Sequence, residues 1–258
     1  MVHRQRRGRR VVRLETLVAH LPALHRLHRP ERDRLAQLVS THEGERHMKI
    51  ALLGAESTGK SHLAVALAMH LSGCGLKVHR VDEYLREWCD DEQRTPRQEE
   101  QRLIAHTQMD RVLAAPTDAV LIADTTPLMT AVYSQMVFND HSLDAFALAH
   151  QALFDVTLLM GMDIAWVSDG LQRVGAHVRE PVDQKIRGLL AQADLPYQVV
   201  YGSGTQRLEN ALFCIGREAP QWAKQLERQE SPRRWSGPCE TCGDGECEHR
   251  LFTSLLQP

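Results

Sequence analysis

Residues 50–61 read Ile-Ala-Leu-Leu-Gly-Ala-Glu-Ser-Thr-Gly-Lys-Ser. An apolar run enters a G-x-x-x-x-G-K-S pattern, and an amphipathic segment with apolar Leu63, Ala66, Leu67 and Met69 follows it. The spacing has a mechanical reason. Gly54 and Gly59 let the backbone turn tightly, so that successive N–H groups of Gly54, Ala55, Glu56, Ser57, Thr58, Gly59, Lys60, Ser61 and His62 converge on a phosphate. Lys60 reaches the β/γ oxygens, the Ser61 hydroxyl suits Mg²⁺, and the next helix offers its N-terminus to the same charge. Strand before and helix after are the context a phosphate-binding loop requires. The alternative is a ligand-free glycine turn.

From Lys49 onward strand and helix signals alternate. Strands are expected at 49–53, 77–81, 119–123, 156–160 and 198–201. Helices are expected at 60–72, 95–114 with Thr95 as cap, 126–138, 142–153 and 182–192, with a last one starting near 207. Asn139-Asp140 reads as a turn. Such alternation implies an α/β fold of P-loop NTPase type, with a five-stranded parallel sheet flanked by helices.

Composition bounds the rest. At 258 residues, one α/β domain with appendages is expected. Residues 1–47 carry 11 Arg, no Lys and 5 acids. That net of +6, taken from the whole-chain −2, leaves −8 for residues 48–258. The acidic main body argues against broad nucleic-acid binding outside the N-terminal arm. No stretch has the roughly 18 apolar residues of a membrane span, and Arg13 and Glu15 interrupt a signal-peptide pattern, so a cytoplasmic chain is expected. The domain reading is thus a basic extension at 1–47 with short helical patterns, a nucleotide-binding core at 48–220, and a charged linker and Cys-rich tail at 221–258. The extension reads either as a nucleic-acid or partner arm or as a dispensable stretch before a start at Met48.

In open α/β sheets ligands sit beyond the carboxyl ends of the strands. Asp124 ends the run Val120-Leu121-Ile122-Ala123 and is placed either to hold Mg²⁺ or to cap the next helix. Asp82 and Glu83 follow the second strand; one of them is suited to accept the proton of a substrate hydroxyl, and both read equally as solvated acids. Tyr84 and Trp88 share a helical face and suit either the core or stacking on a planar ring. Arg173 and Arg179 lie in a Gly- and charge-rich segment, as arginines that close over phosphates do, and as solvated loop residues do. In the tail, Cys239-x-x-Cys242-x4-Cys247-x-His249 offers three thiolates and an imidazole for structural Zn²⁺, or reduced tail thiols. Cys74, Cys89 and Cys214 read as isolated buried thiols.

Gly54–Ser61, Glu83-Tyr84-x-Arg86-Glu87, Asp124-Thr-Thr-Pro-Leu128 with Thr130-Ala131-Val132-Tyr133, Trp166-Val-Ser-Asp169-Gly170-x-x-Arg173, Gly202-x-Gly204-x-x-Arg207 and Asn210-Ala211 occur in that order. Together they resemble the ribosylnicotinamide kinase domain of NadR-type proteins, within the AAA-like P-loop ATPases, over roughly residues 48–220. The resemblance implies transfer of the ATP γ-phosphoryl group to the 5′-hydroxyl of nicotinamide riboside, giving nicotinamide mononucleotide in NAD biosynthesis. It implies Lys60, Asp82, Glu83, Asp124, Arg173 and Arg179 as catalytic groups, with Ser61 and Asp124 serving Mg²⁺. Tyr84, Arg86, Trp88 and Trp166 would contact the acceptor, and Arg207 and Asn210 the adenine end. Residues 1–47 are too short for the adenylyltransferase domain that often precedes this kinase, so completion of NAD synthesis is not expected. The competing class is a regulatory ATP-binding or ATPase module acting through the basic arm and the tail.

Overall fold

The computed structural model describes residues 48–167, 175–220 and 223–226. The expectations placed on residues 1–47, Asp169, Gly170, Arg173, Cys239, Cys242, Cys247 and His249 fall outside them.

Three apolar runs make the centre of a parallel sheet: β1 (Lys49–Leu53), β3 (Val120–Asp124) and β4 (Val156–Met160). All but Lys49 are buried, as strands covered on both faces must be. The flanking β2 (Val78–Val81) and β5 (Gln198–Val200) are shorter and less buried. The strand order is β2-β3-β1-β4-β5, with every pairing parallel. The chain therefore leaves β1 toward one edge, returns to β3, and crosses to the other side at β4. The carboxyl end of β1 is the switch point, where a crevice opens.

Helices α1 (Lys60–Gly73) and α7 (Gly204–Glu218) cover one face; Leu63, Leu67 and Leu71 meet Ile50, Leu52, Ile122, Leu158 and Ile215 there. The opposite face carries α4 (Pro127–Phe138), α5 (Asp144–Gln151) and α6 (Arg179–Gln192), packed around Leu53, Leu159, Phe146 and Ile186. Alternate residues of β1 thus feed two cores, following the period-two direction of strand side chains. Helix α3 (Gln98–Leu113) packs Val112 on Val81, Leu121 and Ala123. A short α8 (Ala223–Leu226) reaches α1, where the Leu226 carbonyl lies 3.0 Å from the His70 ring.

Three local readings are corrected. Helix α3 starts after Arg97 rather than at Thr95, because the Glu100 carboxylate accepts from the Arg97 N–H at 2.7 Å and fixes the first turn there. An additional helix, α2 (Tyr84–Glu92), follows β2, where the sequence reading placed only a shared helical face. Cys74 is half-buried and closes α1 through its backbone N–H; Cys89 and Cys214 are buried. The helix read at 126–138 is found: Thr126 caps it, Pro127 opens its first turn, and Asn139 closes it in the left-handed region.

Two polar groups lie deep in the α5 region. Thr126 Oγ1 donates to Gln151, whose amide donates to Thr157, forming a buried relay from the cap of α4 through α5 to β4. His150 is fully buried edge-on to Phe154, with both ring nitrogens lacking hydrogen bonds. Burial holds its pKa down at about 3. No helix among the described residues is long and apolar enough to cross a membrane.

Candidate functional site

The loop between β1 and α1 is held open by its own residues. Gly54 has φ 153°, and a Cβ there would lie 2.9 Å from both the Met160 Cβ and Thr58 Oγ1. Gly59 is left-handed at φ 81° and caps α1 without a side chain, leaving the first N–H groups of the helix pointing outward. Lys60 folds back into the loop, its Nζ donating to the carbonyls of Gly54 at 2.9 Å and Ala55 at 3.0 Å. Thr58 Oγ1 donates to the Ala55 carbonyl at 2.7 Å. Ser57 exchanges two hydrogen bonds with the backbone of Val167, at 2.7 and 3.2 Å, tying the loop tip to the segment after β4. Glu56, Ser57 and Ser61 are half-buried, and His62 is exposed on the first turn of α1.

Arg207, expected at the adenine end, faces inward. Its guanidinium donates to the carbonyls of Gly202 and Thr58, each at 2.6 Å, and to Asp163. Asp163 in turn accepts from the Gly202 N–H. One buried side chain therefore ties the phosphate loop to the turns after β4 and β5. Burial lowers the Arg207 pKa, Asp163 opposes this, and the nearby charge of Arg179 adds to the lowering. Asn210 is exposed and donates to the Tyr201 carbonyl at 3.1 Å.

Beside the loop lies a buried set of charges. The register pairs Asp124 with Leu52, placing the carboxylate next to the end of β1. Asp124 is 3% exposed, and its Oδ1 has no hydrogen-bond partner. Of the two acids after β2, Asp82 turns outward, 61% exposed and paired with Arg80 at 2.7 Å. Glu83 turns inward, its side chain 12% exposed and 3.1 Å from Arg86. Burial raises the Glu83 pKa, while the charges of Lys60 and Arg86 oppose the rise. Burial lowers the Lys60 pKa against the attraction of Glu83 and Asp124. Each group is thus the other's counter-charge in a water-poor site.

Arg179 begins α6 and is 8% exposed; its Nε and Nη2 carry no hydrogen bond. Trp166 is half-buried with its indole N–H likewise unpartnered. A buried acceptor on Asp124 and buried donors on Arg179 and Trp166 mark places where bound polar atoms would complete the structure. Trp88 belongs to the core, packed with Cys89 and Ile104 beneath the Arg94 guanidinium at 4.7 Å. Tyr84 is half-buried under Arg111 at 4.5 Å. An arginine thus covers one face of each ring.

Two residues of the site have roles that the sequence did not assign. Gln108 on α3 bonds the backbone at Asp82 and at Tyr84, on both sides of Glu83. Asp163 anchors Arg207. The only prior signal for Gln108 is an amide on an otherwise buried helical stripe with Ile104, Ala105, Met109 and Val112. Among the described residues no group of three or more His, Cys, Asp or Glu forms a metal cluster.

A family model described as an AAA domain matches residues 49–207, which runs from β1 to the Arg207 brace. A search of curated proteins returns no match. Among solved structures, NadR protein in complex with NR is similar at a TM-score of 0.59 and 18% identity, covering 84% of this chain and 60% of that one. NadR protein in complex with NAD and AMP-PNP is similar at a TM-score of 0.57 and 16% identity, covering 88% of this chain and 61% of that one. The chain spans about three-fifths of the length of those two proteins.

Proposed function

The chain belongs to the AAA domain family, and from that premise we propose that it is a P-loop kinase that phosphorylates a nucleoside, with nicotinamide riboside as the favoured acceptor. The observation that carries the reading is the inward-facing trio of Lys60, Glu83 and Asp124 at the carboxyl ends of β1, β2 and β3, with the more exposed Arg86 paired to Glu83. A loop that only binds nucleotide has no need of a second, desolvated carboxylate facing its lysine. A kinase does: the acceptor hydroxyl must lose its proton as it attacks the γ-phosphorus. Support also comes from the ordered motifs after five strands and from the fold neighbours, NadR proteins in complex with NR and with NAD and AMP-PNP.

In this reading the loop N–H groups and Lys60 hold the donor's phosphates. Arg179 neutralises charge on the transferring group. Glu83 rather than Asp82 accepts the hydroxyl proton, because Asp82 is turned to solvent against Arg80. Asp124 and Ser61 fit Mg²⁺: one supplies a buried oxygen with no partner, the other a hydroxyl on the first turn of α1. When bound with the nucleotide, an ion held by Asp124 and Ser61 would supply positive charge that lowers the repulsion between the phosphates and the attacking oxygen. Trp166 offers an indole N–H to the bound molecules.

Incubation with ATP, Mg²⁺ and a panel of nucleosides tests the reading. The expected product is a 5′-monophosphate, with ADP released in equal amount and nicotinamide riboside turned over fastest. ADP release at one rate with and without every nucleoside, and no monophosphate, would reject it.

A further inference from the structure

An amide on the inward stripe of a helix costs free energy unless its donor and acceptor are both used. Gln108 is 3% exposed, and both ends of its side chain are used on one short stretch of backbone. Its Oε1 accepts from the Tyr84 N–H at 2.7 Å, and its Nε2 donates to the Asp82 carbonyl at 3.2 Å. Glu83 lies between those two groups. The amide does for this turn what a neighbouring strand does for a ladder: it fixes the peptides on either side of one residue. Glu83 also starts α2 in extended geometry, at φ −67° and ψ 108°, and its carboxylate meets Arg86. The backbone is held from α3, while the side chain is left to the cleft.

We propose that Gln108 is a positioning residue for phosphotransfer, bracketing Glu83 so that its carboxylate stays beside Lys60 and Asp124 where the acceptor hydroxyl is deprotonated. The inference rests on the kinase reading above and adds a residue to it. Glu83 follows the last residue pairs of β2 with β3, which end at Val81, so no strand hydrogen bond holds it. Without the clasp the turn gains backbone freedom, and water reaches the carboxylate. A shift of about 1 Å at a reacting group is enough to cost on the order of 100-fold in rate. The opposite case is a glutamine that merely satisfies buried peptides; that role alters stability and leaves the chemistry of Glu83 alone.

Gln108→Ala and Gln108→Glu in the full chain separate the two. The alanine variant opens the turn to water; the glutamate keeps the acceptor for Tyr84, loses the donor and adds a negative charge near Glu83. The readouts are kcat and KM for each substrate, the acid limb of the pH–rate profile, the thermal midpoint, and an NMR titration of the ¹³C-labelled Glu83 carboxyl. Positioning predicts a kcat loss of about 10- to 100-fold in Gln108→Ala with KM for ATP changed by less than about twofold. It also predicts that the Glu83 titration and the acid limb move down in Gln108→Ala and up in Gln108→Glu. A lowered thermal midpoint with an unmoved titration and acid limb overturns the proposal. If Gln108→Ala does not fold, the near-isosteric Gln108→Glu carries the same decision. If the unaltered protein phosphorylates no nucleoside, the kinase reading falls and the catalytic role of Gln108 with it. The titration still decides separately whether the amide controls Glu83.

Discussion

Lys60 and Glu83 share one buried site, yet opposite kinds of structure hold them. Lys60 bonds carbonyls five and six residues before it, inside a loop whose form follows from its own glycines. Glu83 is bracketed by an amide about 25 positions further on, across a helix-to-turn contact. On the proposed kinase reading, the donor half of the cleft is a local device, and the acceptor half is assembled from a distance. A local device is reproduced wherever its dozen residues occur. An assembled one changes with packing of α2 and α3, so acceptor identity is the property most open to variation on this fold.

The largest expected effect lies on the donor side. Lys60→Ala removes the cation of the cradle and is expected to lower kcat/KM by about 10³-fold with every acceptor, read by product formation and by loss of nucleotide binding in calorimetry. Glu83→Gln should affect chemistry alone: kcat falls by about 10²-fold while ATP binding stays within a few-fold. Loss of ATP binding in that variant would merge the two halves and break the comparison. Because burial raises the Glu83 pKa, the acid limb of kcat in the unaltered protein is expected above the ordinary carboxylate range, and Glu83→Gln abolishes that limb.

The Arg207 brace gives the third test. Arg207→Met strands the Thr58 and Gly202 carbonyls and Asp163, and is expected to cost about 3 kcal/mol of stability, visible as a lower urea midpoint, with weakened nucleotide binding. The smallest effect concerns neither half. His150→Phe removes two unpartnered nitrogens from the core and is expected to stabilise by about 1 kcal/mol near neutral pH. In the native protein the His150 pKa lies near 3 against an ordinary 6.5. Between those values the unfolded chain takes up a proton that the native one refuses. Stability therefore falls on acidification through that window, by up to about 1.4 kcal/mol per pH unit, and denaturant titrations of His150→Phe should lose most of that slope.

What was legible in the sequence follows the same division. Every strand and the donor loop were readable, because an apolar run of five and a G-x-x-x-x-G-K-S spacing are local signals. Asp124 was readable because it ends such a run. The choice between Asp82 and Glu83 was not: one residue of displacement decides which carboxylate faces Lys60, and that depends on where α2 begins. Trp88 and Tyr84 carry ring chemistry in isolation, but the placement of Arg94 and Arg111 over their rings is set by α3 and its approach. Arg207 looked like a ligand-binding arginine because its motif is ordered after β5; only the fold shows that its donors face three separate turns.

The phosphate loop places its own cation, Lys60, against the Gly54 and Ala55 carbonyls and orders its tip against Val167. A triphosphate entering it exchanges one set of oxygens around Lys60 for another and buries little new apolar surface. Binding of inorganic triphosphate should therefore carry a heat-capacity change close to zero, and the temperature at which it is measured should scarcely alter its enthalpy.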